Sequence, residues 1–260
     1  MDQVNKGINE DFTTRAKLVD LGRWYITQFV KQTALSLPPG TLLLDAGAGE
    51  CVYKRFFLHC EYKAADLAVG ETSWNYANID YVAPLHKLPI ADASFDAILC
   101  TEVLEHLEWP RESVREFFRV LKPGGRLFLT VPMSHDEHQI PYDFFRYTSY
   151  GLRSICSDAG FAQVEIVPLG GGMFVRWAYE LPRMMAIFPT SRFKNGKPPS
   201  LAGFLLIPPK TVLLGLLRII QVVFLWMDRF DKPKIDPLGW SLVAHKATTI
   251  QKSPEPIEKN

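Results

Sequence analysis

The stretch Leu42-Leu43-Leu44-Asp45-Ala46-Gly47-Ala48-Gly49-Glu50 constrains this chain more than any other. An apolar run broken by one aspartate and closed by glycines reads as a strand buried on both faces, ending in a tight turn. Glycine has no Cβ, so a ligand can approach the backbone closely at such a turn. A nicotinamide-dinucleotide site would want a third glycine at position 52, where Val52 stands. An acid inside the strand end also disfavours a pyrophosphate, and it suits a cationic ligand with an amino-acid head. A plain strand-to-helix turn would use the same glycines.

The rest of the first two-thirds alternates between strand and helix patterns. Strands are expected at Thr41–Ala46, Tyr62–Asp66, Ile79–Ala83, Phe95–Thr101 and Arg126–Val131, with helices at 14–35, Val52–His59 and Arg111–Leu121. Such alternation predicts a parallel sheet with right-handed crossovers. Thr148 has the character of an N-cap for a helix running to about Asp158, with Gly160 beyond its end. Further strands are expected at Phe161–Pro168 and Trp240–Lys246. The intervening 170–237 reads as an insertion, and residues from 248 onward as a polar tail.

Charge and composition exclude some classes. With 47% hydrophobic residues the chain has material for a core, so disorder is excluded, and a net charge of +1 gives no general argument for nucleic acid. The charge is unevenly placed. Nine Lys/Arg and two Asp lie between Arg183 and Lys234, whereas the remainder carries 20 basic and 26 acidic residues. Cys51, Cys60, Cys100 and Cys156 are scattered, with no C-x-x-C pair or metal-finger spacing. The start is polar and charged, without the apolar run of a signal peptide. A reduced, cytoplasmic protein is the expectation.

Asp66 follows Asp45 by 21 positions and closes the next strand, where a carboxylate can accept from both hydroxyls of a ribose. Leu88-Pro89-Ile90-Ala91-Asp92-Ala93-Ser94-Phe95-Asp96, Leu104-Glu105-His106-Leu107 and Arg119-Val120-Leu121-Lys122-Pro123-Gly124-Gly125 come after it in order. Together with the glycine turn, these segments resemble the class I S-adenosylmethionine-dependent methyltransferases, and within them the type 11-like group. The resemblance covers roughly 38–168 and the strand near 240–246. It implies a doubly wound α/β domain with a mostly parallel seven-stranded, Rossmann-like sheet, made of 1–169 plus 238–247 and carrying a helical insertion before the last strand.

By the same resemblance, Asp45, Gly47 and Gly49 would contact the methionine part of S-adenosylmethionine, Asp66 the ribose, and Leu67 the adenine. Thr101, closing its strand, belongs to the same expected cofactor site. Where the family often has an acid for the adenine amine, this chain has Pro84, so that contact is lost and the Leu85 N–H is the substitute. Cys51 replaces the family's usual third glycine.

The acceptor side is read from two segments. His106 lies four residues after Glu102, just past a strand end, and either lines the pocket or packs as an ordinary histidine. Glu105 reads as a solvated or capping carboxylate. The run His135 to Thr148 resembles the H-x-x-P-x-D-x-x-R-Y-T pattern of methyltransferases associated with bacterial polysaccharide and glycolipid synthesis. In that reading His138 is a general base, Asp143 orients it, and Arg146 grips an anionic acceptor. An internal Asp143–Arg146 salt bridge is the alternative. No metal is expected, because no partner cluster accompanies His135 and His138. A small or lipid-linked acceptor is expected, methylated at oxygen; N- or C-methylation, for instance of a quinone-type ring, and a cofactor-binding subunit without turnover remain as alternatives.

Residues 211–228 form a helix candidate in which Thr211, Gly215, Arg218, Gln221 and Asp228 make one narrow polar stripe. Either the helix is buried in a lid or oligomer contact, or 201–230 lies peripherally on the inner face of a membrane, with Lys210, Arg229, Lys232, Lys234 and Trp226 beside it. The oligomeric state is not encoded in any legible feature.

Overall fold

A computed structural model describes residues 20–70, 73–184 and 207–248. The expected beginning of the first helix (14–19), the apolar stretch 201–206 and the tail beyond Thr248 lie outside these residues. The elements are α1 (Leu21–Ser36), β1 (Leu42–Ala46), β2 (Glu61–Asp66), β3 (Tyr81–Val82), β4 (Phe95–Thr101), α2 (Pro110–Val120), β5 (Leu121–Pro132), α3 (Ser149–Ala159), β6 (Gln163–Leu169), α4 (Met173–Arg183), α5 (Ile207–Met227) and β7 (Gly239–His245). They fall into two compact units. One contains 29–167 and 240–248, the other 20–28, 168–184 and 207–239.

In the first unit seven strands form one sheet in the order β3-β2-β1-β4-β5-β7-β6. The pairs β1–β2, β1–β4, β2–β3 and β4–β5 are parallel. β7 runs the other way: its end lies beside the start of β5, where Gly124 N–H donates to Lys246 O, and beside the start of β6, where Ala162 N–H donates to His245 O. Central strands β1 and β4 are buried along nearly their whole length, as their uninterrupted apolar runs require, whereas edge strand β6 alternates between exposed and partly buried positions. The core joins Leu44, Ile98 and Leu129 of the sheet to Phe117 of α2 and Leu152 of α3. Thr148 caps α3 by accepting from Gly151 N–H, and Gly160 ends it at φ 103° in the left-handed region.

Two expectations are corrected. No α-helix forms at Val52–His59; only a 3-10 turn, Lys54–Phe56, is present. Phe56 and Phe57 are both buried, and Gly40 N–H donates to His59 O, so the chain returns to β2 by turns that seat adjacent side chains inside. Also, β5 begins at Leu121 rather than Arg126, because Gly124 and Gly125 pair with Lys246.

In the second unit Leu21, Val175, Ala178 and Leu238 form a small core with Tyr25, Tyr179 and Phe224 packed against it. These contacts place 20–28 with 168–184 and 207–239, although 1–169 reads from sequence as one stretch. The start of α4 is held from a distance: Gly172 N–H donates to Asp228 Oδ1 and Met173 N–H to Asp231 Oδ2, both at 2.8 Å. Acids at a helix N-terminus satisfy its unpaired donors and complement its dipole.

Helix α5 turns the later part of its polar stripe inward: Gln221 is 1% exposed and accepts from Arg218 Nη1 at 2.8 Å, next to Leu217 and Phe224, whereas Thr211 and Gly215 are exposed. Val212, Leu216, Ile219, Val223, Trp226 and Phe230 recur at helical spacing on the exposed side. Pro209–Phe230, 22 residues, is long and apolar enough to cross a membrane by length and composition, and 11% of its most apolar window is buried. Among the described residues, therefore, nothing buries the apolar face that a lid or subunit contact would use.

Candidate active site

The order of the strands locates the site. β1 lies between β2 and β4, so the chain reverses direction there, and open α/β sheets bind ligands at such a switch point, outside the carboxyl ends of the strands. The turn after β1 holds Gly47 at φ 82° and Gly49 at φ 50°. A Cβ on Gly47 would run into Val103 Cγ2, beyond the end of β4, so only glycine allows the two strand ends to meet this closely. Gly47 and Ala48 N–H both donate to Ala65 O, which ties the turn to β2.

Asp66 closes the arrangement. Its Oδ2 accepts from Gly49 N–H at 2.9 Å and its Oδ1 from Ala68 N–H at 2.7 Å. One carboxylate thus shapes the glycine turn and still stands at the mouth, with the lone-pair capacity a ribose diol requires. Leu67 is half-exposed beside it, Leu85 is buried, and Thr101 is partly buried where β4 pairs with Thr130 of β5.

Asp45 sits deeper than a ligand contact would require. It is 2% exposed, and Tyr62 Oη donates to its carboxylate. The residue therefore supports the turn from below, and Tyr62, unremarked in the sequence, is its partner. Burial raises its pKa to about 7, against the opposing hydrogen bond from Tyr62 and with the Asp66 charge reinforcing the rise. A carboxyl that binds its proton more tightly when folded destabilises the fold as pH rises from its unfolded value near 4 through 7. The cost is up to about 4 kcal/mol, nearly complete above pH 7. The melting temperature should accordingly fall between pH 5 and pH 8, and Asp45→Asn should make that fall smaller, the remainder coming from the buried carboxyls of Glu102 and Glu105. An equal fall in the variant would locate the titration wholly in those two groups.

The acceptor-side residues come together after β4 and β5. A 3-10 turn, Leu104–His106, follows β4, and Tyr147 Oη donates to Leu104 O at 2.9 Å. Glu105 O accepts from Phe144 N–H at 2.9 Å and from Phe145 N–H at 3.3 Å, which pins the loop after β5 against the turn. The rings of His106 and His138 meet edge to face at 4.6 Å, and His135 lies 4.5 Å from His138. Asp143 accepts from His138 N–H at 2.9 Å, with His138 Nδ1 at 3.4 Å. His106 is thus brought to His138 and Asp143.

Of the two readings of Arg146, the internal salt bridge with Asp143 is the one formed, and the anion grip is not. Its Nη1 and Nη2 donate to Asp143 at 2.7 and 2.8 Å, and its other donors reach His135 O, Asp136 O and Phe145 O. All the donors of the guanidinium are engaged inside the loop, so it is a strut. That hydrogen bonding holds the Asp143 carboxyl well below the usual range, so Asp143 is ionised beside His138.

Glu105, expected to be solvated, is 0% exposed, and neither carboxyl oxygen has a hydrogen-bond partner among the described residues. Burial, reinforced by the Glu102 charge, pushes its pKa well up. Glu102 is itself raised to about 7 by burial. Only the apolar flanks Leu104 and Leu107 hinted at this in the sequence.

Residues 44–129 match a family model described as a methyltransferase domain. The ubiquinone/menaquinone biosynthesis C-methyltransferase of Pseudoalteromonas translucida is 34% identical over 128 residues, covering 37% of this chain and 51% of the relative. The "Probable S-adenosylmethionine-dependent methyltransferase" of Mycobacterium tuberculosis is 30% identical over 149 residues, covering 52% and 53%. The chain thus spans about half the length of these curated relatives. A methyltransferase of known structure from Archaeoglobus fulgidus shares the fold with a TM-score of 0.53 at 14% identity, covering 86% of this chain and 94% of the other.

Sheet order, glycine turn and family match agree: residues 44–129 match a methyltransferase domain, set in a class I architecture. More particularly, the Mycobacterium tuberculosis relative is named for its dependence on S-adenosylmethionine. The residues present fit that group. The turn is open enough for a backbone approach, a carboxylate stands ready for the ribose, and no lysine or arginine marks a phosphate site among the residues placed at the turn.

Proposed function

We propose that this protein methylates a membrane-soluble, lipid-linked acceptor at a hydroxyl oxygen, on the cytosolic face of a membrane. The observation that carries the reading is α5, whose Gln221 is directed inward and whose apolar stripe faces out on the same chain as the methyltransferase domain. An apolar helix face left exposed calls for an apolar phase or partner. Arg229, stacked over Trp226 at 4.0 Å and Phe230 at 4.7 Å, places a cation among aromatics at the end of the helix. That combination suits the boundary between headgroups and acyl chains.

When bound, S-adenosylmethionine supplies an electrophilic methyl group. Asp66, the glycine turn and Thr101 are the groups that would hold it in place. The His106–His138 cluster would take the proton of the acceptor hydroxyl as the methyl group passed from sulfur to that oxygen. A proton acceptor of suitable pKa typically contributes 10²–10⁴-fold. His138→Gln should therefore lower turnover on the order of 100-fold or more while leaving cofactor affinity unchanged. A parallel loss of both would make His138 a structural residue.

C-methylation of a quinone-like ring is the second reading. Its support is the C-methyltransferase relative, and a ring carbon beside a phenol also needs a proton removed. Incubation of protein with labelled cofactor and a total membrane lipid extract, followed by mass spectrometry of the labelled product, separates the two. A labelled water-soluble product, with none in the lipid phase, would refute both.

A further inference from the structure

We infer that Glu105, His106 and His138 form a binding site for one divalent transition-metal ion of the zinc type. One ligand atom from each, a Glu105 oxygen and a nitrogen of each histidine, all lie within 4.8 Å of one another. Two imidazoles and a carboxylate are the ligand set of open zinc and iron sites, and they leave further positions for substrate oxygen.

The state of the donors points the same way. Both Glu105 carboxyl oxygens and His106 Nε2 are buried without a hydrogen-bond partner among the described residues. His106 Nε2 and Glu105 Oε1 face each other at 3.6 Å, too far for a hydrogen bond, and buried polar atoms are nearly always paired, so the gap between them calls for a ligand. The tautomers are set from outside. His106 Nδ1 lies 2.5 Å from Tyr142 O, and His138 Nδ1 lies 3.0 Å from Asp136 O. A carbonyl can only accept, so each Nδ1 carries the proton and each Nε2 presents its lone pair. Backbone carbonyls of this kind orient metal-binding histidines.

Charge agrees with geometry. Arg146 donates to Asp143 and to neither glutamate, although its charge eases the burial of both Glu102 and Glu105. A buried carboxylate whose two oxygens lack hydrogen-bond partners is costly, and a divalent ion on Glu105 would offset that cost. Where the domain acts on a hydroxyl, a consequence that rests on the function proposed above, an acceptor oxygen on the ion becomes more acidic. With the ion bound, His138 is a ligand, and the proton released by the acceptor oxygen passes to solvent water instead of to the imidazole.

The site is tested on untagged full-length protein by calorimetric titration with Zn²⁺ alone and by the visible spectrum of added Co²⁺. One equivalent should bind, with Co²⁺ bands typical of nitrogen and oxygen ligands. Glu105→Gln and His138→Gln should each weaken binding by about 100-fold or more, since loss of even outer-shell partners costs 10–100-fold. His86→Gln, outside the cluster, should bind like the parent. His138 lies in a surface loop, so its variant remains informative even if Glu105→Gln fails to fold. Absence of stoichiometric binding, or equal binding by parent and His138→Gln, overturns the inference, and the carboxyls are then protonated. S-adenosylmethionine titrated into the same samples separates the outcomes: lost metal binding with cofactor bound refutes this site alone, and no cofactor binding refutes the function.

Discussion

Asp66→Ala should lose at least about 100-fold in affinity for S-adenosylmethionine, measured by calorimetry, with the protein still folded. The side chain sits at the close of β2 with two backbone donors, Gly49 N–H and Ala68 N–H, on its two oxygens. Hydrogen bonds to a charged group contribute roughly 1.5–3 kcal/mol each, and removing their acceptor leaves donors unpaired. The substitution has two effects at once: the ribose loses its acceptors, and the turn loses the group that sets its shape. Each tenfold loss in affinity corresponds to about 1.4 kcal/mol, so two lost contacts already account for 100-fold. Asp66→Asn separates the two effects, since an amide keeps one acceptor oxygen and should retain part of the affinity. Near-parent affinity in Asp66→Ala would remove the carboxylate from the cofactor site and with it the proposed ribose contact.

This site was partly legible in the amino-acid sequence, and the division has physical causes. Features carried by contiguous residues were readable. Continuous apolar runs gave β1 and β4, and Thr148 with Gly160 framed α3. Phe95 and Asp96 are structural, Phe95 buried in the core and Asp96 accepting from Leu42 N–H and Lys122 Nζ. Features created by distant pairing were not. Tyr62 meets Asp45 only because β2 lies beside β1. The donors of Arg146 are engaged by carbonyls up to 11 positions away, which a bidentate-grip reading cannot foresee. Glu105 looks like any exposed glutamate in a polar context until the loop at Phe144 and Phe145 closes over it. The same limit applied to α5: its polar stripe was visible in sequence, but which way the stripe faces is set by packing. Stripes are ordinarily polar outward, and here Gln221 and Asp228 are required inside to satisfy Arg218 and the start of α4.

That orientation makes the membrane reading easy to break. Ile219→Lys with Val223→Lys should abolish sedimentation with anionic liposomes while leaving cofactor binding unchanged. Ile219 is 63% exposed and Val223 nearly half, so neither contributes to the core of its unit and the fold should tolerate both lysines. In an apolar phase each exchange removes about 0.3–0.6 kcal/mol of favourable transfer and adds about 2.5–3.5 kcal/mol of cost at full depth. Two exchanges therefore approach several kcal/mol, and shallower burial still leaves more than a 100-fold loss of partitioning. Added positive charge would, by itself, strengthen attraction to anionic lipid by about 1 kcal/mol per lysine. The two contributions oppose each other, which is what gives the experiment its force: weaker binding after adding cations requires the apolar face to enter the bilayer. If the double variant bound as tightly as the parent, surface charge would suffice to explain the attachment, and α5 would have to present its apolar stripe to another protein.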